Sequence, residues 1–249
     1  MTVKDIYEFL NTYCPYELAE EWDNPGLNVG RTDASVERVF LALDVTEESI
    51  LAAKEAGCQL LVTHHPLIFS PEKQVNDTTE TGRHVLLLAE NGISHIACHT
   101  NLDAAEGGVN TCLAACCGLE KSEIFAGLGR IGETETTLTA LIERLKASLP
   151  SDFCLGVRAH EEVRKIALVG GSGGSLLEEA IAAGCDTFVT GEFKYNHALT
   201  AREAGINLLM LGHYETEYIV LAPLAEAMKK AFPSLEITVM ERKAPVESW

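Results

Sequence analysis

Short apolar runs alternate with helical patterns along this chain. RVFLALDV, the helical SILAAKEAG and QLLVTHH follow one another in the first half. KIALVGG, SLLEEAIAAG and DTFVTGE do the same in the second. Strand–helix–strand alternation of this kind predicts βαβ units and a largely parallel sheet, hence an α/β protein. The start, MTVKDIYEFLNTY, places Val3, Ile6, Leu10 and Tyr13 near helical spacing and predicts a short amphipathic helix. The turn-rich stretch AGLGRIGETET at 126–136 is the expected boundary, giving an N-terminal α/β half at 1–125 and a C-terminal half at 126–249.

The halves also resemble each other. AAKEAGCQLLVTHH at 52–65 aligns without gaps with EAIAAGCDTFVTGE at 179–192, and HVLLLAENG at 84–92 aligns with HALTAREAG at 197–205. Each copy then runs through a short apolar strand into a His-x-x-x-acid element, His99 with Asp103 and His213 with Glu217. Generic βαβ patterning is the alternative explanation, but the order of several elements coincides. Two similar halves related by a pseudo-two-fold are therefore expected, with a dinuclear metal site in the cleft between them. His64-His65 aligns with Gly191-Glu192, so such a site would be asymmetric.

The chemistry gathers on these same positions. His64 and His65 follow the strand QLLV, and ligands of open α/β sheets sit at the carboxyl ends of strands. Neighbouring side chains of an extended segment point to opposite sides, so the pair suits two different ions, or one ion and one supporting position. If a helix starts after Gly212, His213 and Glu217 share one face, with Glu215 near the same region. Imidazole and carboxylate donors without thiolates suit Zn, Mn, Fe, Co or Ni. The glycine-rich run Gly170–Ser175 matches neither a dinucleotide fingerprint nor a Walker loop and reads as a tight strand-to-helix turn.

Composition narrows the rest. The 249 residues can bury a substantial core, and 47% of them are apolar. No apolar run reaches the length of a membrane span, and the N-terminus lacks the basic start and apolar stretch of a secretory signal. The expected location is the cytoplasm. The eight cysteines, several within apolar stretches such as HIACH and AAGCDTF, are expected to be reduced, buried thiols. A formal charge of −18 repels phosphate backbones and anionic membranes, which argues against nucleic acid and membrane partners.

EEWDNPGLNVG at 20–30, LALDVT at 41–46, VTHHP at 62–66, HTNLDAAEGGVN at 99–110, GLGRIGE at 127–133, VTGE at 189–192 and GHYETE at 212–217 together resemble the Nif-three-like family, also called GTP cyclohydrolase I type 2 homologues. The likeness runs across nearly the whole chain, in the compact form without an inserted domain. It implies a two-domain α/β fold, a ring-shaped homohexamer and two divalent metal ions per chain. It also implies His64, His65, Asp103, His213 and Glu217 as metal ligands, and His99 as a further ligand, an orienting group or a catalytic acid/base. The implied function is a metal-dependent hydrolase of GTP or a related nucleotide. A metal-delivery protein without turnover and a ring-shaped interaction scaffold are the rival readings.

Overall fold

A computed structural model describes residues 1–149, 151, 153–241 and 243–246. It is a mixed α/β structure with two sheets. The strands in chain order are β1 (Gly26–Val29), β2 (Arg38–Ala42), β3 (Leu60–Thr63), β4 (Ser94–Ala97), β5 (Glu123–Phe125), β6 (Gly129–Thr137), β7 (Leu155–Val157), β8 (Glu162–Val169), β9 (Thr187–Thr190), β10 (Asn207–Met210) and β11 (Glu236–Val239).

The first compact unit comprises Met1–Glu106 and the segment from Leu221 through β11. Its sheet has the order β1-β4-β3-β2-β11. Strands β2, β3, β4 and β11 are parallel, and β1 runs antiparallel beside β4. β3 and β4 are buried along their whole length; β3 reads as an apolar run, whereas β4 buries Ser94 and His95 beside Ile96 and Ala97. The expected N-terminal helix forms at Val3–Tyr13 and buries Val3, Ile6 and Leu10. Thr2 and Asp5 cap it reciprocally, each side chain accepting from the other's backbone N–H.

The second unit comprises Gly107–Val220 and the residues from Lys243 on. Its sheet has the order β5-β6-β8-β9-β10-β7, with β8, β9 and β10 parallel and β7 antiparallel beside β10. The plan of the parallel strands repeats that of the first unit. In each, an antiparallel strand (β1 or β7) precedes three consecutive parallel strands with helices between them and pairs with the third of these. Val39 pairs with Leu60 and Leu60 with Ser94, as Ile166 pairs with Thr187 and Thr187 with Asn207.

Three expectations need correction. The division does not fall at 125/126: the second unit begins at Gly107, and the helix Leu221–Ala231 and β11 belong with the first. There β11 pairs with β2 in parallel, and Arg38 meets Glu236 at 2.9 Å. AGLGRIGETET is not a linker either. It lies in the antiparallel pair β5–β6, whose turn holds Ala126 at φ 49° and Gly127 at φ 86°. Nor is the sheet largely parallel throughout. Both sheets are parallel in the middle and carry an antiparallel strand at one edge or both. No described helix is long and apolar enough to cross a membrane.

Candidate metal centre

In the first unit the carboxyl ends of three adjacent parallel strands supply the polar side chains. Asp44 lies beyond β2, His64 and His65 beyond β3, and His99 beyond β4. The chain leaves β3 in a bend rather than continuing extended. His65 N–H donates to Leu43 O at 3.0 Å, and the Thr63 hydroxyl donates to His65 O at 2.6 Å. The same hydroxyl accepts from His95 Nε2 at 2.7 Å. Burial holds His95 down to about 3, so its ring stays neutral. This bend overturns the expectation that His64 and His65 diverge. Their ring centroids are 4.9 Å apart, and His99 joins them at 5.2 and 5.4 Å.

Each of the three rings has its Nδ1 engaged. His64 Nδ1 donates to Cys98 O at 2.9 Å. His65 Nδ1 lies 2.7 Å from Asp44 Oδ1, and His99 Nδ1 lies 2.8 Å from Asp23 Oδ1. Since a carbonyl and two carboxylates are acceptors, each Nδ1 carries a proton, and Nε2 is the ring atom that could donate to a metal. One ligand atom from each of His64, His65 and His99 falls within 4.8 Å of the others, close enough to share an ion. His64 Nε2 is also 3.7 Å from Asp103 Oδ1. Asp103 is presented by the short helix Thr100–Ala104, which begins directly after His99.

Asp23 is a supporting residue that sequence reasoning did not single out. Burial raises its carboxyl, but hydrogen bonds from His99 and from the Thr100 side chain and backbone outweigh that and bring it down to about 2. It therefore stays ionised and keeps the His99 proton on Nδ1. Asp44 was missed as well, although its place just after an apolar strand was the available signal.

In the second unit Gly212, at φ 97°, turns the chain from β10 into the helix His213–Tyr218. His213 Nε2 lies 3.1 Å from Glu217 Oε1, as expected for one helical face, and His213 Nδ1 lies 3.6 Å from Glu192 Oε2. Glu192 is the aligned counterpart of His65. Glu215 folds back instead, its carboxylate against Gly212. The glycine-rich run approaches the pair closely. A Cβ on Gly171 would stand 2.0 Å from Glu217 Oε1 and 3.2 Å from His213 Nε2. Four of its backbone N–H groups are spent on the fold, those of Gly170, Gly171 and Gly173 on Asn110, Thr216 and Thr190 side chains and that of Gly174 on Glu192 O. The run is the tight strand-to-helix turn expected of it.

All eight cysteines are free thiols. Burial pushes Cys58, Cys112 and Cys185 up to about 11, which leaves them protonated at neutral pH. Nitrogen and oxygen are then the available donors, and histidines backed by carboxylate or carbonyl partners fit a divalent first-row ion well.

The fold and these donor sets define a two-sheet α/β protein with candidate metal-binding groups at the carboxyl ends of its parallel strands. Residues 1–245 match the family model Duf34/NIF3 (NGG1p interacting factor 3), and the chain belongs to that family. It is 35% identical over 260 residues to a Clostridium perfringens protein named GTP cyclohydrolase 1 type 2 homolog, covering 99% of both chains. A Helicobacter pylori protein named GTP cyclohydrolase 1 type 2 is 35% identical over 216 residues, 86% of each chain. Among solved structures, a Staphylococcus aureus hypothetical protein superposes with a TM-score of 0.91 at 27% identity, covering 100% of this chain and 99% of that one.

Proposed function

We propose that this protein is a divalent-metal-dependent hydrolase acting on GTP or a related nucleotide. The observation that carries the reading is the His64–His65–His99 cluster, with every Nδ1 held by a carboxylate or carbonyl. Three imidazoles oriented in this way are arranged to donate to a cation rather than merely to fill space. His64, His65 and Asp103 in the first unit and His213 and Glu217 in the second are the proposed ligands of two ions per chain. A bound divalent ion supplies Lewis acidity towards the bond attacked and makes water nucleophilic near neutral pH.

The chain's own residues orient and hold protons. Asp44 and Cys98 O fix His65 and His64, and Asp23 fixes His99. We add His99 to these ligands, because its ring meets those of His64 and His65 and one ligand atom of each lies within 4.8 Å of the others. The shared element order of the two units supports their origin as copies, and the halves are proposed to be related by a pseudo-two-fold. The nucleotide substrate follows the names of the relatives. The homohexamer and the cytoplasmic location follow the family resemblance and the sequence composition.

The test is to load metal-free protein with Zn, Mn or Fe and incubate it with a panel of nucleotides, following formate and phosphate release. Release that depends on metal and is lost in His64→Ala supports the hydrolase. Readily exchanged metal with no release from any nucleotide would favour metal delivery instead.

A further inference from the structure

Trp22 and Phe69 are 57% and 50% exposed, although burial of such rings is strongly favourable. They lie together, with centroids 5.7 Å apart. Both also meet the His99 ring edge to face, at 6.1 Å and 74° for Trp22 and at 6.2 Å and 70° for Phe69. An exposed aromatic surface thus adjoins the histidine cluster within one unit.

The segments that carry these rings are pinned. Glu20 N–H donates to Thr100 Oγ1 at 3.0 Å, and Asp23 is held by His99 and Thr100. Trp22 therefore sits between two anchored neighbours. The Asn24 side chain donates to Ile68 O, and Ile68 N–H donates to Asn28 Oδ1 at 3.4 Å, so Phe69 follows a residue tied to the Trp22 segment. Rings in mutual contact on anchored backbone are suited to stacking, because little chain freedom is lost when a planar ligand arrives. The two rings are too close to each other to enclose a third, which needs about 7 Å between their faces, or twice the ordinary carbon contact. A ligand ring would lie on their outer faces.

We propose that Trp22 and Phe69 form the ring-binding subsite of the histidine site, taking the planar heteroaromatic base of a nucleoside by stacking. This names the substrate class of the hydrolase reading and rests on it. Charge points the same way. A chain of net charge −18 works against phosphate through its overall field, so an uncharged ring is the part of a nucleotide it can grip without opposing that field. Stacking also accepts any base, since every base has a π-face.

The chain has two tryptophans, Trp22 and Trp249, so Trp249→Phe leaves Trp22 as the sole indole. Guanosine, and ribose 5-phosphate as a ring-free control, are titrated into metal-free and zinc-loaded Trp249→Phe protein while indole fluorescence is followed. Guanosine should quench and ribose 5-phosphate should not. Phe69→Ala in the same background, and Trp22→Ala by equilibrium dialysis, should bind guanosine about tenfold or more weakly with metal content unchanged. No quenching by guanosine, while GTP is still hydrolysed, overturns the subsite and leaves the hydrolase standing. Quenching without turnover of any nucleotide keeps the subsite and overturns the hydrolase. Metal loss in Trp22→Ala would make the ring a structural prop, and a changed oligomeric mass would make the patch a contact between copies. Either result overturns the proposal.

Discussion

Alanine at Gly171 would bring a methyl carbon to 2.0 Å from Glu217 Oε1, at a backbone φ of +58°. Two costs follow, and a second glycine separates them. Gly184 has a φ of +71° with nothing within 4 Å of its missing Cβ, so Gly184→Ala carries the backbone strain alone. That strain is roughly 1–2 kcal/mol for a residue with a side chain. It lowers the Tm by about 2–8 °C in a chain of this size. At Gly171 the clashing atom is the end of a flexible side chain, which can swing away. The additional stability cost is therefore about that of the lost His213–Glu217 contact, roughly 0.5–1.5 kcal/mol. Metal binding should suffer more, because Glu217 can no longer stand where it meets His213. We expect at least about tenfold weaker binding of the ion held by that pair, the size of effect seen when groups supporting a metal are removed. Thermal unfolding of the metal-free variants gives the first quantity, and competition with a chelating dye gives the second. Equal metal affinity in Gly171→Ala and Gly184→Ala would refute the claim that the glycine turn positions the His213–Glu217 pair.

Other outcomes follow from the same geometry. Asp23→Asn should weaken metal binding by about 10- to 100-fold, measured by dye competition, because the amide no longer fixes the His99 proton on Nδ1. The Asp23 carboxyl is lowered from its ordinary 3.8 to about 2, so its stabilising effect is complete above about pH 4 and is lost as the pH falls towards 2. The stability gap between wild type and Asp23→Asn, followed by denaturant unfolding without metal, should close across that window. A constant gap would mean that the carboxylate is not what stabilises. Glu217→Gln should lower metal content, whereas Glu215→Gln should leave it unchanged, since Glu215 packs against Gly212. Elemental analysis that ranks the two the other way would reverse their roles.

Much of the fold was legible because the central strands are buried runs in a βαβ order, and that pattern is local. The alignment of the halves placed Leu60 with Thr187 and His84 with His197. In the structure those pairs occupy the second parallel strand and the following helix of their units. What escaped was non-local or hinged on a single turn. β11 returns to pair with β2 from the far end of the chain, and no local pattern announces such a pairing. Asp23 meets His99 across 76 positions of sequence, and the contact depends on the tertiary fold. The direction of His64 and His65 was misjudged because strand alternation was extended past Thr63, where the strand ends. His213 and Glu217 came out as expected because helical spacing alone sets their proximity.

The central claim is that the histidine and carboxylate donors hold metal, and elemental analysis tests it most directly. Protein stripped with chelator, reconstituted in turn with Zn, Mn or Fe and freed of excess ion should retain about two divalent ions per chain, with fewer in His64→Ala and in His65→Ala. Wild-type protein that retains none of the three metals, while remaining folded by circular dichroism, would contradict the account.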